Sequence, residues 1–113
     1  MNPRIQSLEK LLGGPRDGAL LRFSLGNEYH HAGDLSQAEK CFRDAVDRDS
    51  RYSAAWKALG RVLAEAGKAA EALAAYESGI AVASARGDVQ AAKEMTVFAR
   101  RLRKALAPPN DAA

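Results

Sequence analysis

The chain is predicted to be all-α, an α-solenoid of two helix–turn–helix repeats with one helix before them and one after. Three observations predict it. The sequence matches itself at one fixed shift: Leu25 falls on Leu59, Gly26 on Gly60, Gly33 on Gly67, Ala38 on Ala72 and Phe42 on Tyr76. Between these landmarks apolar residues recur at steps of three and four, the spacing of one helix face. A glycine closes each stretch, at Gly33, Gly67 and Gly87, where a helix end commonly takes the left-handed conformation. The match is selective, since Leu35 lands on Ala69 and Glu39 on Leu73. What recurs is small or aromatic, which is what packing constrains.

The first element is a helix over 3–13 with Ile5, Leu8, Leu11 and Leu12 apolar, ended by Gly13-Gly14-Pro15. The same shift carries Leu8 and Leu11 onto Phe42 and Ala45, so this helix stands where the second helix of a preceding repeat would be and covers the open end of the array. Repeat 1 spans 19–52. Its first helix carries the stripe Leu21, Leu25, Tyr29, Ala32; its second carries Leu35, Ala38, Phe42, Ala45 and Val46. Asp49, Ser50 and Ser53 offer turn and N-cap oxygens before the next helix. Repeat 2 spans 53–86, with Ala55, Trp56, Leu59 and Leu63 on one helix and Ala72, Leu73, Tyr76, Ile80 and Ala83 on the other. Gly79 lies inside that second helix and is expected to weaken it slightly. Asp88 is placed to cap a last helix over 88–106 with the stripe Val89, Ala92, Met95, Ala99, Leu102, Leu106. Pro108-Pro109 stops it, and 108–113 is expected to be a disordered tail, leaving 1–107 as one domain.

At this point the pattern resembles the tetratricopeptide repeat, a unit of about 34 residues reading W-x2-L-G-x2-Y and then A-x3-F. The second copy reads Trp56-x2-Leu59-Gly60-x2-Leu63 and then Ala72-x3-Tyr76. The first reads Arg22-x2-Leu25-Gly26-x2-Tyr29 and then Ala38-x3-Phe42. Arg22 and Leu63 depart from the motif, and Ser50 and Ser84 stand where proline is common. Size explains the retained positions: Gly26 and Gly60, facing Ala38 and Ala72, let helices approach closely, and Phe42 and Tyr76 fill the gap toward the next repeat.

The resemblance implies that the first helix of each repeat lines a concave groove that holds a segment of another protein. The residues so placed are Leu20, Phe23, Ser24, Asn27, His30 and His31 from the first copy and Ala54, Lys57, Ala58, Arg61, Ala64 and Glu65 from the second. The expected partner-binding set is Asn27, Lys57 and Arg61, with Phe23 and His31 next. Arg61 can grip a carboxylate in a bidentate fork, and Asn27 can hold a peptide backbone. The groove is expected to be polar and weakly basic with an apolar edge from Leu20 and Phe23. Asn27 and Lys57 partly resemble a clamp by which some relatives hold a C-terminal carboxylate, but Phe23 stands where its first lysine belongs, so the full clamp is not expected.

Other chemistry finds little footing. With 27% charged and 47% apolar residues the composition is that of a soluble globular protein. A net charge of +3 favours acidic partners, and its excess sits at Arg100, Arg101, Arg103 and Lys104. No aromatic stacking platform accompanies that run, so nucleic acid ranks third among candidate partners. His30 and His31 point about 100° apart on a helix and cannot share one metal. Cys41 is a lone thiol with no base assigned to it, so no intrachain disulfide forms. Gly67-Lys68 lacks the remaining residues of a phosphate loop. Glu65, Glu71 and Glu77 read as solvated carboxylates. No catalytic group, metal or cofactor is expected, and the chain is read as a binding protein rather than an enzyme. The start does not read as a signal peptide, and no run reaches the roughly 18 apolar residues of a membrane span, so the cytoplasm is the expected location. The second candidate partner is another copy of the chain, docked through Met95, Ala99, Leu102 and Leu106.

Overall fold

A computed structural model of the chain describes residues 2–108, and within them it is entirely helical: α1 (Pro3–Glu9), α2 (Ala19–His31), α3 (Leu35–Arg48), α4 (Ser53–Glu65), α5 (Ala69–Ala85) and α6 (Val89–Leu106). The tail expected over 108–113 lies outside the described residues except for Pro108. Consecutive helices pack as antiparallel neighbours, α2 on α3, α3 on α4, α4 on α5 and α5 on α6. The body measures 58 × 33 × 19 Å, the elongated outline of a stack. This is the predicted α-solenoid. No helix among the described residues is long and apolar enough to cross a membrane.

The breaks follow from backbone chemistry. Gly33, Gly67 and Gly87 have φ of 81°, 80° and 75°, the left-handed region that side chains avoid. Asp34 and Asp88 then cap the following helices, accepting from the N–H of Gln37 at 3.1 Å and of Ala91 at 3.2 Å. Ser53 does not cap as expected. It is the first residue of α4 and buried, while Asp49 closes a turn onto the Arg51 N–H at 3.0 Å. The indole of Trp56 donates to the Ser50 carbonyl at 2.8 Å, which satisfies the polar edge of a half-buried ring.

Three apolar clusters run along the stack. Ile5, Leu21, Leu25 and Cys41 form the first, with Leu8 and Leu11 against it, so α1 covers the exposed side of repeat 1. The largest joins Ala38, Phe42 and Ala45 to Ala55, Leu59, Val62 and Ala72, spanning the two repeats. The third holds Tyr76, Ala83, Met95 and Ala99 between α5 and α6. Burial pushes the Cys41 thiol up to about 11, so it stays a neutral packing group.

The two repeat glycines do what size suggests. A Cβ on Gly26 would stand 2.4 Å from the Phe42 ring, and one on Gly60 2.7 Å from the Tyr76 ring. Each aromatic is therefore seated on the glycine of its own repeat as well as facing the next one. Gly79, expected only to weaken α5, has the same role: a Cβ there would meet the Met95 sulfur at 2.5 Å and the Trp56 Cβ at 2.9 Å. It lets α6 settle on α5.

Other expectations are corrected. α1 ends at Glu9, short of 13, because the Leu11 and Leu12 amides turn back to Leu8 and Glu9 carbonyls and Gly13 takes φ 78°. The stripe offered to a second copy is largely used inside the molecule, with Met95 and Ala99 fully buried and Leu102 packed on the core. Glu65, Glu71 and Glu77 are solvated as expected, and each also pairs with an arginine, Arg61, Arg43 and Arg103, at 3.3, 3.5 and 3.1 Å.

Arg22, the residue that departs from the motif, has a structural role of its own. Its Nε and Nη2 donate to both oxygens of Asp17 at 3.0 and 2.9 Å, and its Nη1 donates to Asp44 at 3.0 Å. Asp17 also accepts the Gly13 N–H at 2.9 Å, so the loop after α1 is held to α2 and α3. The Arg22 hydrogen bonds, followed by the Gly13 amide, lower the Asp17 pKa from 3.8 to about 2. A lowered pKa stabilises the fold above the unfolded value, and that stabilisation is lost as pH falls from 3.8 through about 2. In Asp17→Asn the acid-range loss of stability, read from urea midpoints, is expected to be shallower than in wild type. Parallel pH profiles for the two proteins would remove Asp17 from this role.

Candidate functional site

The first helices of the repeats, α2 and α4, together with α6, present one face on which the expected groove residues can be located. A depression of about 240 Å³ between α2 and α4 is lined by Phe23, Asn27, His30, Ala54, Lys57, Ala58 and Arg61. A second, of about 480 Å³, adjoins it and is lined by Lys57, Arg61, Ala64, Glu65, Tyr76 and Phe98. Lys57 and Arg61 belong to both, so the two form a continuous trough with Phe23 toward one end and Phe98 toward the other. Helix periodicity explains the set. Phe23, Asn27 and His30 step by four and three along α2, and Lys57 and Arg61 are the counterparts of Phe23 and Asn27 one repeat later.

Four of the five expected contact residues are thus brought together. His31 is not. It is exposed beside the trough with its ring stacked on His30 at 6.5 Å, and His30 takes the lining position. Leu20, expected as an apolar edge, is 68% exposed and does not line the trough. Phe23 is held in an aromatic group, its ring 4.9 Å from Tyr52 and 5.8 Å from Phe42. That contact fixes its rotamer and roots the trough wall in the core.

The electrostatics differ from a weakly basic groove. Lys57 Nζ donates to Glu94 of α6 at 2.9 Å. His30 Nε2 lies 3.0 Å from Glu65 of α4, and Arg61 Nε lies 3.3 Å from the same carboxylate. Lys57 and Arg61 are both paired, and the Lys57–Glu94 and His30–Glu65 contacts join successive first helices across the trough, whereas Arg61–Glu65 lies within α4. Such exposed pairs contribute about 0–1 kcal/mol each, so an incoming carboxylate can exchange with them at small cost. Arg61 is the most available cation, 72% exposed and holding Glu65 through Nε, which leaves its forked end open to solvent and ligand. Tyr76 forms part of the floor, and burial raises its pKa, so it is a neutral surface. Its ring meets Phe98 at 5.5 Å.

Glu94 and Phe98 were not in the expected set, and Glu65, expected on this face, was not assigned a contact. The polar pairs left a readable signal, since His30–Glu65 and Lys57–Glu94 are complementary side chains separated by close to one repeat length. Phe98 left one too, since it stands three residues after Met95 and four before Leu102, at the edge of the apolar stripe of α6. Among the described residues no cluster of three or more His, Cys, Asp or Glu side chains could hold a metal ion.

No family model matches the chain. A curated relative does: the TPR repeat-containing protein PA0015 of Pseudomonas aeruginosa is 48% identical over 101 residues, 89% of this chain and 96% of that protein. The chain belongs to the tetratricopeptide-repeat family. Among solved structures, protein BPP2914 from Bordetella parapertussis superposes with a TM-score of 0.77 at 43% identity, covering 92% of this chain and 90% of its own. The crystal structure of MamA protein superposes with a TM-score of 0.69 at 24% identity, over 88% of this chain and 57% of that one, and shares the fold. Membership of the tetratricopeptide-repeat family makes this chain a protein–protein interaction module in general terms.

Proposed function

We propose that residues 1–107 form one binding unit that holds a segment of another protein in the trough between Phe23 and Phe98, without chemistry. The observation that supports it best is that Lys57 and Arg61 are shared by both depressions, so one ligand crossing the trough passes both cations. Asn27 offers an amide to the ligand backbone, Arg61 takes a carboxylate, and the Tyr76–Phe98 floor accepts an apolar side chain. His31 contributes at the margin. Lys57 enters by exchanging Glu94 for a ligand carboxylate. The partner on this reading is a protein segment with an acidic residue next to an apolar one.

The test is capture of partners by wild type, by Lys57→Glu/Arg61→Glu and by Glu94→Gln, each checked for helicity. The charge-reversed variant is expected to lose at least tenfold in affinity for a captured partner. Glu94→Gln, which releases Lys57, is expected to bind it more tightly. Unchanged binding by both variants would place the partner site elsewhere.

A further inference from the structure

A second surface lies on another face of α6, turned away from the trough. In each full repeat the first helix is covered by the second that follows it, α2 by α3 and α4 by α5. α6 stands in the first-helix position of a further repeat. Leu59 and Leu63 of α4 correspond to Met95 and Ala99 of α6 at a spacing slightly longer than the repeat, and all four are buried. The excess is accommodated by α5, whose 17 residues exceed the 14 of α3. The same spacing carries Gly60, on which the Tyr76 ring of the covering helix is seated, onto Thr96.

Thr96 lies in a groove of about 570 Å³ between α5 and α6, the largest depression described on the molecule. Its floor is Ile80, Ala92, Val89 and Val97, the last two 60% and 43% exposed. The Thr96 hydroxyl donates to the Ala92 carbonyl at 2.7 Å and so asks nothing of an occupant. Lys93 and Arg100 form the rim. The other charges of α6 near them are Arg101 and Lys104, exposed cations, while Glu94 is paired with Lys57 and Arg103 with Glu77. The groove is therefore apolar along its base and positive along its edge, in the place where a covering helix would lie.

We propose that this groove docks an amphipathic helix of a partner protein, one whose apolar stripe is flanked by Asp or Glu, which completes a third helix–turn–helix pair. Charge complementarity selects that occupant. The span from Val89 to Arg100 corresponds to about 16 Å, or three turns of helix. A second copy of the chain fits less well, because the other large apolar side chains exposed among the described residues, Leu12, Leu20 and Leu106, do not form a stripe with acidic flanks. An anionic polymer would meet the rim but leave the apolar floor exposed to water.

The experiment uses the full chain and two designed helical peptides of about four turns, identical in their leucine–alanine stripe, one flanked by glutamate and the other by lysine. Binding is followed by fluorescence anisotropy and the site by amide chemical-shift changes. The glutamate peptide is expected to bind, to weaken with added salt, and to shift resonances of Ile80, Val89 and Val97. Lys93→Glu/Arg100→Glu is expected to lose it by tenfold or more and to gain the lysine peptide, while Lys57→Glu/Arg61→Glu binds it as wild type does. That last variant separates this site from the trough. Equal binding of the two peptides, shifts confined to Phe23, Asn27 and Phe98, or a concentration-dependent dimer abolished by Val97→Asp would each overturn the proposal, the dimer by making a second copy the occupant.

Discussion

Phe42→Ala is expected to lower stability by about 3–5 kcal/mol, the usual cost of emptying a fully buried aromatic site. The ring has no exposed surface and lies against the Gly26 backbone, the Phe23 ring and the cluster that joins the repeats. On the Gly26 side nothing can collapse into the space, because helix backbone rather than a flexible side chain forms the wall there. A domain of this size has roughly 5–15 kcal/mol in total, so the variant retains a fraction of it. By thermal unfolding the midpoint is expected to fall by about 10–25 °C. The effect extends to the trough, since Phe23 loses one of its two ring neighbours. A fall of only a few degrees would mean that the repeats are held together chiefly by other contacts.

Gly26→Ala is expected to destabilise although alanine is the better helix former. The propensity gain is about 1 kcal/mol. Against it, the new Cβ would stand 2.4, 2.6 and 2.8 Å from three carbons of the Phe42 ring. That ring is buried on every side, so the helices must part, at a cost of about 1–3 kcal/mol before the gain is subtracted. The mechanism makes a sharper claim than the sign. In Gly26→Ala/Phe42→Leu the smaller side chain relieves the clash, so the double variant is expected to be more stable than the sum of the single changes predicts. Gly33→Ala provides the contrast. Nothing lies within 4 Å of its Cβ, and its cost comes from φ 81° alone, about 1–2 kcal/mol, which no change at Phe42 can relieve. Additive urea-unfolding energies at Gly26 and Phe42 would refute the wedge.

The trough and the α5–α6 groove suggest a division of labour within one small chain. The trough walls are tied together by contacts between first helices, a His30–Glu65 hydrogen bond and a Lys57–Glu94 ion pair. Those pairs preserve the spacing of α2, α4 and α6, and a ligand carboxylate can replace them one at a time. Between α5 and α6 the Arg103–Glu77 pair plays that part, while the rim cations Lys93 and Arg100 are exposed. Occupation of one surface need not disturb the other, because α6 meets the trough through Glu94 and Phe98 and the groove through Val89, Lys93 and Val97.

The sequence by itself determined the helices, the breaks between α2 and α6 and the order of stacking, though not the end of α1. Those rest on local physics: glycine alone takes positive φ at Gly33, Gly67 and Gly87 without strain, and a three-to-four spacing of apolar residues has one helical solution. The fixed repeat was enough to identify the seats at Gly26 and Gly60 and to bring Phe23, Asn27, Lys57 and Arg61 to one face. The tertiary structure decided what depends on distances between helices. The stripe of α6 looked free because a sequence does not say which face a neighbouring helix covers, and α5 covers Met95 and Ala99. Gly79 looked like a flaw because its value lies in the approach of Met95 from another helix. Arg22 looked like a lapse in the motif until Asp17 and Asp44 were seen on either side of it. The charge of the trough, finally, is a sum over three helices, and carboxylates as distant in sequence as Glu94 neutralise cations that seem unopposed when one helix is read at a time.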